Sequence, residues 1–408
     1  MMRKVIVDSS ERLQQVGPTS LIELEQLKRR MLARGADVLD LGRFNPDLPQ
    51  DVQLQETMQR LVAQPDAFRP ASASLHSQFC LEVSRWFADR FGVRINPLRS
   101  ILPTAGVKEA VHHLTLALVN PGDKVGIPDP SYPLYRAATI LAGGVILPVP
   151  LIRANEFLPN LARMDSVNTR PRLLFLNYPH NPTSRPPDRS FYIELVRWAR
   201  KHNVIVVQDF AYGELYYDNE PPMSILAIPG ARKVAIELHS LSFTYNLAGL
   251  KLGFAVGHPE ILSLLEQAQM RLTSGLSTFA LDTGICAIKA YGRIASANNK
   301  MYVERRDAVS AGLDDLGWTY RRPQAGGFFW VPVPRRRNDE RLARRLLSRA
   351  RVLIAPGTAF GEEGAGYLRI SVCASPQHIR AAFQRMAKLW PQKLTAMRKK
   401  WARSDSRE

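Results

Sequence analysis

From Ile101 onward, short runs of consecutive apolar residues alternate with longer stretches whose apolar positions recur every three or four residues. SILPT, KVGIP, GGVILPVPL, RLLFLNY, VIVVQDF and KVAIELHS are of the first kind; KEAVHHLTLALV and YPLYRAATILA are of the second. A strand apolar at successive positions has no face for water, so these runs predict a mostly parallel sheet flanked by helices on both sides. The intervening segments are long enough for right-handed crossovers. Near the start, Ser20 and Glu23 have capping-box spacing, which predicts a helix from Ser20 to Arg34. After Tyr291 the pattern changes. A long charged helix that includes YVERRDAVSAGLDDLG leads into FFWVPVP, another helix and the strand YLRISV, a smaller α+β unit. The expected α/β chain divides into an N-terminal segment (1–46) that joins the small domain, a large domain (47–290), the small domain (291–395) and a basic tail (396–408).

Ligands of open α/β sheets sit beyond the carboxyl ends of the strands, and several loops there carry chemistry. In PTAGVKEA a glycine precedes a helix, so free amides, the helix dipole and Lys108 suit a phosphate as readily as an ordinary helix start. PDPSYPLY places Tyr132 on a proline-stiffened turn, for stacking on a planar ligand or for packing the loop. NYPHNPTS offers Asn177, His180 and Asn181; the asparagine can bond a ligand oxygen or simply form the turn, and a histidine here is more often structural. The apolar run VIVVQDF ends in Asp209, with Tyr212 one short turn later. That carboxylate either caps the next turn or pairs with a buried cation. The fifth loop, SLSFTYNLAGLKLG, has the serines and glycines of a ligand-wrapping segment around an inert centre, Phe243.

The 408 residues, 45% of them hydrophobic, are ample for two domains. Three scattered cysteines argue against a disulfide framework or a metal site and for a reducing compartment. The opening apolar run is too short for a signal peptide and no run approaches a membrane span, so a cytoplasmic protein is expected. A formal charge of +18 invites nucleic acid as a partner, but the arginines are dispersed through helices such as RLARRLLSRAR. With no helix-turn-helix, zinc-finger spacing or aromatic-basic platform, nucleic-acid binding is not the expectation.

Taken in order, DLGRFNPDLP, PTAGVKEA, PDPSYPLY, LFLNYPHNPT, QDFAYGELYYDN, the segment from PPMSIL to GFAVG, and PGTAFGEEGAGYLRIS have the spacing of a known family. From about Leu39 to Ser371 the chain resembles the class I/II aminotransferases of pyridoxal-phosphate fold type I, in the alanine and LL-diaminopimelate aminotransferase branch. The resemblance implies a two-domain homodimer with sites at the subunit interface. It gives Asp209 to the cofactor's pyridine nitrogen, which it would keep protonated so that the ring is an electron sink. It gives Asn181 and Tyr212 to the ring hydroxyl, and Tyr132 to the ring face. Ser240, Ser242, Lys108, Lys251 and the amides near Val107 correspond to the phosphate cup. Arg369 corresponds to the residue that grips a substrate carboxylate, work suited to a planar guanidinium.

The departures from that pattern are as informative. Phe243 stands where the family has its Schiff-base lysine, which also shuttles a proton; a phenyl ring does neither. Lys251 replaces a phosphate-binding arginine, Phe44 a glycine that lines the substrate space, Pro70 a tyrosine that reaches the neighbouring subunit, and Leu75 a glycine. Val107 and Ala110 replace smaller or more polar residues near the phosphate. The leading expectation is non-covalent binding of pyridoxal or pyridoxamine phosphate, or an amino-acid adduct of it. The chemistry would be other than conventional transamination, on an amino-acid-like or carboxylate small molecule. A non-catalytic scaffold and an aminotransferase rescued by Lys251 or Lys108 remain open.

Overall fold

The apolar runs pair in a computed structural model that describes residues 8–17, 19–166, 170–186, 188–273, 275–334 and 338–389. In chain order the strands are β1 (Leu39–Asp40), β2 (Ile101–Thr104), β3 (Lys124–Asp129), β4 (Val145–Pro150), β5 (Leu173–Asn177) and β6 (Ile205–Asp209). They continue as β7 (Ala235–Ser240), β8 (Gly253–Gly257), β9 (Phe328–Pro332), β10 (Val352–Leu353), β11 (Ala355–Pro356) and β12 (Tyr367–Ser371). Seven form one sheet in the order β2-β8-β7-β6-β5-β3-β4. The run from β4 to β7 is parallel, and β8 alone runs against its neighbours β7 and β2.

Successive side chains of a strand point to opposite faces, and β5 shows why it is apolar throughout. Leu174 and Leu176 enter one core with Phe79, Val83 and Phe87 of the helix Ala73–Phe91 and Leu195 of the helix Arg189–His202. Leu173 and Phe175 enter the other, with Val111 and Leu114 of the helix Val107–Leu118 and Leu265 of the helix Pro259–Leu272. The parallel strands end together, which sets Asn177, Asp209 and Ser240 along one edge of the sheet.

The smaller unit holds the antiparallel sheet β11-β12-β9 and the parallel pair β1-β10, packed against the helices Tyr291–Asp315 and Pro376–Lys388. The helix Glu11–Val16 lies on the large unit, where Arg12 donates to the Leu141 carbonyl, whereas Leu39 and Asp40 pair with Val352 and Leu353. Across the expected boundary after residue 290, Asn298 donates to the Thr244 carbonyl and accepts from Asn246. The tail expected at 396–408 lies outside the described residues.

The first long helix corrects the capping assignment. It spans Ser20–Leu32, and Thr19 caps it, its hydroxyl accepting from the Ile22 amide at 3.4 Å. Ser20 already has its place in the first turn, so its side chain is misplaced for a cap. The helix stops short of Arg34 at a turn in which Gly35 takes a φ of +76°. Among the described residues no helix is long and apolar enough to cross a membrane.

Candidate active site

Asp209 closes β6 and is only 4% exposed. The Tyr135 hydroxyl donates to its Oδ2 at 2.6 Å and the Ala211 amide to its Oδ1 at 3.0 Å. Burial outweighs both donors and pushes the carboxyl up to about 6, and it pushes the Tyr135 phenol well above its ordinary range. Among the described residues Asp209 has no Lys or Arg partner. Asn177, one strand over on β5, donates its side-chain amide to the Asp209 carbonyl and so holds the strand end in register.

Beside this carboxylate the chain turns into the helix Val107–Leu118 through Gly106, at φ +84° and with no side chain capping the first amides. A Cβ on Gly106 would lie 3.9 Å from the Lys251 backbone, so this turn and the Lys251 loop are neighbours. Lys108 reaches over Tyr132, its Nζ 5.9 Å from the ring centre. Ser240 accepts from the Ser242 amide at 3.1 Å, which leaves its hydroxyl hydrogen to donate elsewhere. The sequence-predicted phosphate ligands Val107, Lys108, Ser240, Ser242 and Lys251 therefore come from three loops that converge at the strand ends, and Lys108 and Lys251 are exposed.

Phe243 is not an isolated ring. It stacks on Tyr212 (centroids 4.7 Å apart, planes at 17°) and meets Phe44 edge-on at 5.3 Å. Phe44 in turn packs on Tyr302 at 5.7 Å and Phe328 at 5.5 Å. Each such pair contributes about 0.5–1.5 kcal/mol beyond its buried area. The cluster continues into the core of the small unit, so Phe44 and Phe243 join the two units. A Cβ at Gly327 would stand 2.0 Å from the Phe44 ring. Gly327→Ala is expected to destabilise by about 1–3 kcal/mol through overpacking. In urea unfolding, the Phe44→Ala/Gly327→Ala double variant should lose less than the sum of the singles by more than about 0.5 kcal/mol.

Arg369, buried on β12, lies between Phe328 and Phe360, its guanidinium carbon 4.2 and 4.4 Å from their centroids. Its Nη1 donates to Asn181 Oδ1 at 2.8 Å and its Nη2 to the Gly42 carbonyl at 2.6 Å. The fork is thus aimed by the protein itself, and each Nη keeps a second N–H for a carboxylate. Burial brings its pKa down to about 10, so it stays charged at neutral pH. Burial also takes His180 down to about 3, and its Nδ1 lies 2.8 Å from Thr183 Oγ1. Its ring is neutral, with Nδ1 engaged by Thr183 and the buried Nε2 without a hydrogen-bond partner among the described residues.

The family model for aminotransferase class I and II matches residues 36–386. The chain belongs to that family. An LL-diaminopimelate aminotransferase of Aquifex aeolicus is 36% identical over 93% of this chain and 98% of its own length. One from Maridesulfovibrio salexigens is 37% identical with the same coverage. A substrate-bound BacF structure from Bacillus subtilis superposes with a TM-score of 0.89 at 27% identity, covering 94% of this chain and 98% of that one. A probable N-succinyldiaminopimelate aminotransferase from Thermus thermophilus gives 0.84 at 30% identity, covering 91% and 100%.

Family membership implies pyridoxal phosphate, and the donors here fit it: an unpaired buried carboxylate for a pyridinium, uncapped helix amides and two cations for a phosphate, and an aromatic ring between them. For this aminotransferase-family chain the residues missed in the sequence are Tyr135, Tyr302, Phe328 and Phe360. Only Tyr135 had a local signal, its placement three residues after Tyr132, which is one helical turn. Pro70 is exposed and bridges to Ser277, and Leu75 is buried in the first turn of its helix, capped by Ser72.

Proposed function

We propose that the chain binds pyridoxal or pyridoxamine phosphate, or its amino-acid adduct, without a covalent link and catalyses a reaction other than conventional transamination on a carboxylate-bearing substrate. The observation that carries this reading is Asp209: a buried carboxylate whose pKa burial raises to about 6, with two hydrogen-bond donors and no Lys or Arg partner among the described residues. Such a group is a liability unless a cation arrives. When bound, the cofactor supplies an electron sink. Asp209 keeps its ring nitrogen protonated, with Tyr135 holding the carboxylate in place. Lys108, Lys251, Ser240, Ser242 and the amides at Val107 hold the phosphate, Tyr132 covers the ring, and Asn181 and Tyr212 serve the ring oxygen. Arg369 takes a carboxylate of the substrate.

Phe243, which the motif order sets at the family's lysine position, neither gives nor takes a proton. With Phe44 and Tyr212 it makes an apolar wall that excludes water and favours a less polar substrate side chain. The diaminopimelate named for the relatives is polar at both ends, so this wall argues for a different amino-acid-like substrate. Rescue by Lys108 or Lys251 has the least support, since both are exposed and Lys251 sits at φ +54° just after a turn. The scaffold reading draws on the continuity of the Phe44–Phe243 cluster with the core. Absorption spectra of the purified protein with pyridoxal phosphate decide between them. Reversible binding with a spectral change on adding an amino acid is the expected result; no binding of any vitamin B6 form would favour the scaffold.

The reading includes a homodimer. Phe68 and Met270 are each 76% exposed and Leu272 is 53% exposed, with Phe68 and Phe279 rings 6.5 Å apart. The exposed Phe68, paired with Phe279, is where a second subunit would cover apolar surface. Phe68→Glu is expected to move the protein from dimer to monomer in sedimentation velocity.

A further inference from the structure

Residues directly opposite across an antiparallel pair share a face of the sheet, as do residues two apart on a strand. Trp330 opposes Arg369, Pro332 opposes Tyr367 and Phe328 opposes Ser371. One face of β9 and β12 therefore runs from Phe328, in the aromatic cluster, past Arg369 to Trp330 and Tyr367. At that far end the face forms the floor of a separate cleft of about 530 Å³. Its walls are the segments around 153–157, 183–186 and 319–324. None of the residues assigned to the cofactor or to Arg369's substrate lines it.

Four arginines from three distant segments, Arg153, Arg185, Arg321 and Arg322, face this cleft, and Glu156 is its one carboxylate. Glu156 accepts from Arg185 at 2.5 Å and lies 3.9 Å from Arg321. Arg322 pairs with Asp307, outside the lining, and Arg153 has no ion pair among the described residues. The buried Nε of Arg185 also lacks an acceptor. Within the lining one carboxylate, Glu156, faces four guanidiniums, so the cleft carries a positive excess that a bound anion would offset, and guanidinium forks match oxyanions in shape. A flat shelf adjoins the charges. Tyr367 stacks on Trp330 at 5.0 Å and 8°, Phe157 meets its edge at 6.2 Å, and Tyr320 lines the same space. The volume is that of a site for a medium-sized ligand.

We infer that this cleft is a second ligand site, for a multiply charged anion that carries a flat ring, of nucleotide size. The arginines take the charged oxygens and the tyrosine shelf takes the ring. This inference stands apart from the proposed cofactor site, and the experiment separates the two.

Isothermal titration of the full chain with ATP and with inorganic tripolyphosphate tests it. Both are expected to bind, ATP more tightly, and both more weakly as salt rises. Arg153→Ala/Arg321→Ala removes two exposed side chains and is expected to weaken ATP by about tenfold or more. Arg153→Lys/Arg321→Lys should restore part of the loss. Lys108→Ala, in the candidate phosphate cup, should leave ATP binding unchanged. Absence of binding by either anion at millimolar concentration overturns the inference. So does ATP binding that ignores the arginine pair but is lost in Lys108→Ala, because that places the anion in the cofactor cup. Tripolyphosphate binding as tightly as ATP overturns the assignment of the ring.

Discussion

Phe243→Lys is expected to turn reversible association with pyridoxal phosphate into an attachment that borohydride fixes. The wild-type chain should release the ligand on dialysis and carry no label after reduction. The variant should retain it, with the mass of the reduced adduct on the peptide that contains position 243. Lysine restores both an amine at the head of the loop and a group able to move a proton. An amino-group exchange half-reaction should then quicken by about 10²- to 10⁴-fold, the range of general acid-base catalysis. The ring it replaces stacks on Tyr212 and meets Phe44 edge-on, so a stability loss of about 1–3 kcal/mol should accompany the gain. A borohydride-fixed label on the wild-type chain would sink the non-covalent reading and point to Lys108 or Lys251.

Asp209→Asn is expected to move ligand affinity and stability in opposite directions. Removing one partner of a buried ion pair costs about 3–5 kcal/mol, so pyridoxal phosphate should bind about 10²- to 10⁴-fold more weakly. Without ligand the substitution should stabilise the protein at neutral pH. Burial raises the folded carboxyl from 3.8 to about 6, so the folded state keeps a proton that the unfolded chain has already released. The contribution of this group is then most favourable below about pH 4 and is lost as pH climbs through about 6, by up to about 3 kcal/mol. Asparagine does not titrate; its oxygen can keep the Ala211 amide while its Nδ2 donates to the Tyr135 oxygen, a phenol being donor and acceptor alike. The stability difference between variant and wild type should therefore open between about pH 4 and 6 and level off above, as read by urea unfolding at fixed pH values. A difference that stays flat with pH would show that Asp209 is already neutralised in the folded chain, and would remove the main support for a cationic ligand.

Much of this is legible in the sequence alone. A strand buried on both faces must be apolar at consecutive positions, so LLFLN and VIVVQ announced a covered parallel sheet, and Asp209 stood out because a carboxylate closes such a run. Motif order alone led to the expectation that Phe243 takes the family's lysine position and that Lys108, Ser240 and Lys251 share one end of the sheet. Local pattern was poorest where neighbouring residues offer the same chemistry: Thr19 and Ser20 are both capping types, and only backbone angles select Thr19.

What the tertiary structure decided are the contacts between segments far apart in the chain. Tyr135 bonds Asp209 although 74 positions separate them in the chain. Phe44, Tyr212, Phe243, Tyr302 and Phe328 form one aromatic cluster although they come from five separate segments. Arg369 is aimed by Asn181 and Gly42, and four scattered arginines share one cleft. Periodicity and short spacings record what a residue needs from its own strand or turn, whereas its distant neighbours are set by how whole elements pack.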